Sequence, residues 1–170
     1  MAFNSTYRML LAPLLFLYAM TAWAQSASPE AALRQRVNLF LDEWHDDAAN
    51  SRLRYFDKIA KDGVYIGTDK SERWTRDDFR AWAKPYFERP TAWAFHATRR
   101  NIAFSADRKF IWFDEQLSTD MGPCQASGVI IDTPDGLQIQ HYQLSVAIPN
   151  DLLDGIAKKI REYEAKAIAH

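Results

Sequence analysis

Residues 125–148, QASGVIIDTPDGLQIQHYQLSVAI, are the stretch of sequence that decides the fold. Gln125–Asp132 and Leu137–Ile148 are both rich in β-branched and aromatic side chains, which favour strands. Between them, Thr133-Pro134-Asp135-Gly136 has the composition of a tight turn. The sequence therefore predicts a β-hairpin here.

Two more segments of the same character, Trp93–Phe104 and Phe110–Ser118, precede this hairpin, so four long strands are expected to form a meander. The chain before them is helical in pattern. Ser28 stands before Pro29 and Glu30, which is a typical helix start. One apolar stripe then follows at helical spacing: Leu33, Val37, Phe40, Leu41, Trp44 and Ala48.

The remaining elements are shorter or lie at the end of the chain. Ser51 is expected to cap a short helix that buries Leu53, Phe56 and Ile59 and ends at Gly63, and a brief strand, Val64–Gly67, follows it. A further helix begins at Thr75 and is expected to kink or end near Pro85. A closing helix lies beyond Asp151. Helices followed by antiparallel strands predict an α+β domain with the helices on one face of the sheet.

Composition excludes several classes of protein. The 170 residues are 48% hydrophobic, 14% aromatic and 25% charged, unlike a disordered or low-complexity chain. The formal net charge is −1, which gives no reason to expect nucleic acid or an anionic membrane surface as a partner.

The first 24 residues are expected to be a secretory signal peptide. Arg8 is followed by an apolar run from Met9 to Met20, and Ala22-Trp23-Ala24 has the form of a cleavage site. An uncleaved membrane anchor is the alternative, but the run is shorter than the roughly 20 residues that a span needs. We therefore expect a periplasmic or secreted domain at residues 25–170. Cys124 is the only cysteine, and a small buried side chain is its expected role over a disulfide between two copies.

Several segments, in their order and spacing, resemble the SnoaL-like branch of the nuclear transport factor 2-like (NTF2-like) superfamily over roughly Ser28 to Asn150. They are Tyr65–Asp69, Glu72–Trp74, Trp112–Glu115, Ser127–Val129, Ile139–Ser145 and Ile148–Asn150. The resemblance implies a cone-shaped α+β fold, in which N-terminal helices pack on a strongly curved antiparallel sheet around an internal pocket. It also implies a homodimer through the outer sheet face.

The sequence departs from that branch in two places. Gln125-Ala126-Ser127-Gly128 stands where an Arg-Gly-Ser-Gly stretch is expected, and Leu137 replaces an aromatic residue. If the missing arginine pairs with a carboxylate such as Glu115 in the family, Arg99 or Arg100 is the candidate substitute.

Candidates for proton transfer come from the strands and from the resemblance. His141 has a side chain that titrates near neutrality, with an outward-facing strand histidine as the alternative. Asp114 and Glu115 point to opposite faces, so only one of them can point inward, where burial would raise its pKa. The superfamily includes ketosteroid isomerase, in which a carboxylate removes a proton while a phenol stabilises the oxyanion, and Tyr65 or Tyr86 would be that phenol.

We expect the ligand-binding residues to be Trp82, Tyr86, Phe95, Trp112 and Ser127, with Trp93 among the aromatics, although plain core packing would also explain the aromatic side chains. The four histidines offer no metal-ligand spacing and no phosphate-binding loop is present, so neither metal nor cofactor is expected. Binding of a small, partly apolar molecule is the leading hypothesis. A cofactor-free isomerase, cyclase or dehydratase and a non-catalytic dimeric module are the alternatives.

Overall fold

The computed structural model describes residues 28–168, so the expected signal peptide lies outside the described residues. Its elements are α1 (Pro29–Ala49), α2 (Arg54–Asp57), β1 (Ile59–Ile66), β2 (Arg73–Thr75), α3 (Arg76–Phe87), β3 (Phe95–Phe104), β4 (Phe110–Thr119), β5 (Gly122–Thr133), β6 (Gly136–Val146) and α4 (Asn150–Ile168). The fold is α+β, with helices packed against a curved, unclosed sheet of six strands.

The strands lie in the order β2-β1-β6-β5-β4-β3. The predicted meander is confirmed, since β3, β4, β5 and β6 pair antiparallel in sequence order and Thr133 faces Gly136 across the hairpin turn. One pair differs from the expected antiparallel sheet, because β1 runs parallel to β6. No tight turn joins these two strands, so nothing in the local sequence constrains their relative direction.

Helix α1 follows the predicted pattern. The Ser28 hydroxyl accepts a hydrogen bond from the Ala31 amide at 3.1 Å, and Pro29 occupies the first turn. The stripe is buried at Leu33, Val37, Leu41, Trp44 and Ala48, whereas Phe40 is only partly buried. This stripe packs on the inner face of the sheet.

The short helix predicted from Ser51 to Gly63 is wrong in its extent. Helix α2 is a single turn after Leu53, whose side chain is exposed, and Ile59 already belongs to β1. Gly63 does not end a helix but lies within the strand, where a Cβ atom would come within 2.7 Å of the Ile139 carbonyl oxygen. Glycine therefore serves here for close approach to β6. The expected strand Val64–Gly67 forms only the last three residues of β1, which begins at Ile59 and ends at Ile66, before Gly67.

The other helices agree more closely with the sequence. The Thr75 hydroxyl caps α3 by accepting from the Asp78 amide, and the helix ends at Phe87, two residues after Pro85. Cys124 is a free cysteine, and its side chain is buried, as expected from the sequence. No helix within residues 28–168 combines the length and apolar character needed to cross a membrane.

Candidate functional site

A cavity of about 260 Å³ opens between α3, the end of β1, the start of β3 and the turn that joins β4 to β5. Aromatic side chains dominate its lining; they are Tyr65, Trp74, Phe79, Trp82, Tyr86, Trp93 and Phe95. We call it the aromatic cavity. Its volume lies slightly below the roughly 300–1,000 Å³ that is usual for small-molecule sites, and its lining is mostly apolar.

The sequence of α3 explains much of this lining. Phe79, Trp82 and Tyr86 recur at steps of three and four residues and so share one face of the helix. Their rings stack with centroids 6.0 Å apart for Phe79–Trp82 and 5.0 Å apart for Trp82–Tyr86. Trp74, on the edge strand β2, extends the wall at 4.7 Å from Trp82.

Two of the residues that line the cavity, Tyr65 and Trp93, carry buried polar groups. Tyr65 lies under Phe79 with ring centroids 4.0 Å apart, and burial raises the pKa of its phenol, so the hydroxyl stays protonated. The indole N–H of Trp93 is buried near the Tyr55 hydroxyl but completes no hydrogen bond within the described part of the chain.

The charged side chains that line the cavity are acidic. Glu72 and Asp120 line it, and no lysine, arginine or histidine does. Glu72 is half-buried and its Oε2 atom accepts from the Asp69 amide at 3.1 Å, while Asp120 is exposed in the turn between β4 and β5.

A second polar cluster, which we call the buried ion network, joins α1 to the sheet. His45 Nε2 lies 3.0 Å from Glu115 Oε2, and Arg100 Nε donates to Glu115 Oε1 at 2.7 Å. Arg100 also contacts the Asn38 carbonyl oxygen at 3.1 Å and the Asp42 carboxylate at 2.9 Å. Of the two arginines considered as partners of Glu115, Arg100 is therefore the one that pairs with it.

The pKa of Glu115 bears on its use as a base. Burial alone would raise it, but the neighbouring His45 and Arg100 outweigh burial and leave the pKa of Glu115 below its ordinary value. A general base that works near neutrality needs the opposite shift. Glu115 also does not line the aromatic cavity.

A family model described as a SnoaL-like domain matches residues 37–149, which is more than half of the chain. The chain belongs to the SnoaL-like family. No curated protein sequence matches it.

Solved structures share this SnoaL-like fold at low sequence identity. An NTF2-like protein of unknown function from Pseudomonas putida KT2440 is 9% identical with a TM-score of 0.59, and covers 70% of this chain and 89% of its own. A ketosteroid isomerase-like protein from Parabacteroides distasonis is 14% identical with a TM-score of 0.55, over 66% of this chain and 86% of its own. A Catenulispora acidiphila protein in complex with S-DNPA is 19% identical with a TM-score of 0.55, over 68% and 93%.

The candidate residues of this SnoaL-like domain fall in three places. Tyr65, Trp82, Tyr86 and Phe95 line the aromatic cavity, and Glu115 lies in the buried ion network. The others are on the outer face of the sheet: His141, Asp114, Trp112 and Ser127.

Strand alternation accounts for the outward group. Tyr142 and Leu144 are buried against the helices, so His141 between β1 and β5 points the other way. Trp112 is 50% exposed, and Asp114 accepts a hydrogen bond from Asn101 on the same outer face. These outward side chains therefore have no access to the aromatic cavity.

Sequence reasoning missed three residues of these sites. His45 follows Leu41 and precedes Ala48 at helical spacing, so the stripe itself could have revealed it as an inward side chain. Glu72 and Trp74 were visible only as parts of a family segment, because nothing local indicates that an edge strand borders a cavity. Within residues 28–168, no three His, Cys, Asp or Glu side chains converge as metal ligands would.

Proposed function

We propose that this SnoaL-like protein is exported and binds a small, partly apolar molecule in the aromatic cavity. The observation that carries the proposal is a cavity with seven aromatic side chains in its wall. Stacking on aromatic rings favours a flat ligand.

The size of the cavity limits the ligand. At about 260 Å³ it accommodates one or two rings rather than a steroid-sized molecule. The complex of the Catenulispora acidiphila protein with S-DNPA supports the use of this fold for binding a small molecule.

Binding of 2-naphthol, a flat probe with one hydroxyl group, tests the proposal by calorimetric titration. Trp82→Ala removes a wall of the cavity and is expected to weaken binding roughly tenfold, the loss typical of one stacked aromatic contact. Trp112→Ala, on the opposite face of the sheet, is the matched control and should leave the affinity unchanged. Equal effects of the two substitutions would place the probe elsewhere.

Catalysis by proton transfer is the alternative function, and it has one supporting observation. The protonated phenol of Tyr65 lines the cavity and is suited to donate to an oxyanion. The base is the weak point, because His141 and Asp114 face outward and Glu115 is held by Arg100 and His45. We therefore place binding ahead of catalysis.

Export and self-association complete the proposal. The leader predicts a mature N-terminus at Gln25, which sequencing of the protein from the periplasm or the medium would test. The outer sheet face presents Phe110 and Trp112, both about half exposed, and we propose that it pairs with a second copy. Trp112→Asp should then convert a dimer to a monomer in light scattering, and an unchanged mass would argue against this interface.

A further inference from the structure

We infer that the ligand of the aromatic cavity is a cation, a compact organic ammonium ion with an apolar or aromatic body. This inference rests on the proposed function and deepens it. It starts from the charges of the lining, where the carboxylates of Glu72 and Asp120 are not accompanied by any basic side chain.

These two carboxylates differ from the buried carboxylates elsewhere in the domain. Asp47 contacts Lys58 and Arg54, and Glu115 contacts Arg100. Glu72 and Asp120 form no ion pair with any residue between positions 28 and 168. Within these residues, the two carboxylates of the lining therefore have no cationic partner of their own.

The aromatic wall strengthens the preference for a cation. The face of an indole or phenol ring attracts an ammonium group, and tryptophan is the strongest of these rings. Trp82 is 41% exposed beside Trp74 at the mouth. The Tyr86 ring already has the guanidinium of Arg89 at 4.8 Å from its centroid, so we assign the ammonium group to the tryptophan rings.

The partial burial of Glu72 makes its charge effective. A carboxylate at a half-buried position interacts through a lower dielectric than one in bulk water. Glu72 is also held in place, since its Oε2 atom accepts from the Asp69 amide at 3.1 Å. An ammonium group at the mouth would thus meet a fixed carboxylate and ring faces, while the ligand body reaches Phe79 and Phe95 inside.

Three probes of nearly equal size separate charge from shape. They are phenyltrimethylammonium, its neutral isostere tert-butylbenzene, and the anion benzenesulfonate, each titrated into the full chain at low ionic strength. We expect phenyltrimethylammonium to bind roughly tenfold more tightly than tert-butylbenzene, and benzenesulfonate to bind most weakly. Added salt should weaken binding of the cation and not of the neutral probe.

Two substitutions test the named carboxylates. Glu72→Gln keeps an acceptor for the Asp69 amide but removes the charge, and Asp120→Asn does the same at the turn. Each should reduce the preference for the cation roughly threefold, and the double variant should retain only the part that the aromatic rings contribute. Asp114→Asn, on the outer face, is the matched control and should change nothing.

The outcomes distinguish the two proposals. If the cation and its neutral isostere bind equally, or if benzenesulfonate binds best, the inference about charge is overturned and the proposed binding of small molecules stands. If none of the probes binds, and 2-naphthol does not bind either, both proposals fail. A preference for the cation that is undiminished in the double variant would overturn the assignment to Glu72 and Asp120.

Discussion

His45 Nε2 lies 3.0 Å from Glu115 Oε2, and both side chains are almost completely buried between α1 and β4. Arg100 holds the other oxygen of the same carboxylate. This contact ties the N-terminal helix to the middle of the sheet. The His45 ring lies 6.0 Å from the ring of Phe95, which lines the aromatic cavity. We interpret the network as the support that fixes the sheet behind the cavity.

Replacing Glu115 by Gln should destabilise the protein strongly. The Arg100 side chain would remain buried with only Asp42 as a charged partner, and breaking a buried pair on one side costs about 3–5 kcal/mol of unfolding free energy. Urea unfolding followed by tryptophan fluorescence measures the loss. Asp114→Asn, one residue earlier and exposed, should cost less than about 1 kcal/mol.

Stability should fall on acidification because of Glu115 and Asp47. Burial would raise the pKa of Asp47, but hydrogen bonds from Lys58 and Arg54 outweigh it, so the pKa of Asp47 is lowered in the folded protein, as is that of Glu115. A carboxyl group with a lowered folded pKa contributes stability above its ordinary pKa, here 3.8 for Asp and 4.5 for Glu, and loses it as the pH falls through the folded value.

Urea unfolding at a series of values from about pH 7 to about pH 3 checks this dependence. The free energy of unfolding should be nearly constant down to about pH 5 and then decrease. In the Glu115→Gln variant the decrease should be smaller, because one of the two carboxyl groups is gone. An equal decrease in both proteins would contradict the role of Glu115.

Alanine at two glycine positions should have opposite effects. A Cβ atom at Gly128 would lie 2.6 Å from the His141 carbonyl oxygen and 2.7 Å from the Phe113 ring, so Gly128→Ala should destabilise by about 1–3 kcal/mol. At Gly155, within α4, an added methyl group would have no neighbour within 4 Å, and Gly155→Ala should stabilise that helix by about 0.5–1 kcal/mol. Thermal unfolding for the first and helical circular dichroism for the second provide the measurements.

Removal of α4 should leave the folded domain intact. The family match ends at residue 149, before this helix begins. Its large apolar side chains are mostly exposed, Tyr163 by 76%, and its ion pair from Glu164 to Lys70 lies at the surface. A chain that stops at Pro149 should still unfold cooperatively, with a loss below about 2 kcal/mol, the contribution of one half-buried side chain such as Ile156. Loss of the cooperative transition would show that α4 belongs to the core.

The sequence by itself determined the α+β class, the hairpin at Thr133–Gly136 and the cap of α1 at Ser28. Each depends on neighbours in the chain: turn residues, capping hydroxyls and the periodicity of apolar side chains along one element. The same kind of local rule limited the inward carboxylate to either Asp114 or Glu115, since successive strand residues point to opposite faces.

Only the tertiary structure decided that Glu115, and not Asp114, points inward, and where the cavity lies. The parallel pairing of β1 with β6, the contact of His45 with Glu115 and the lining of one cavity by both Glu72 and Asp120 all join residues far apart in sequence. Such contacts depend on how the elements pack, and no period or turn in the sequence encodes them. The same holds for the sign of the pKa shift of Glu115, because burial alone would raise the pKa, and only the neighbouring His45 of α1 and Arg100 of β3 lower it.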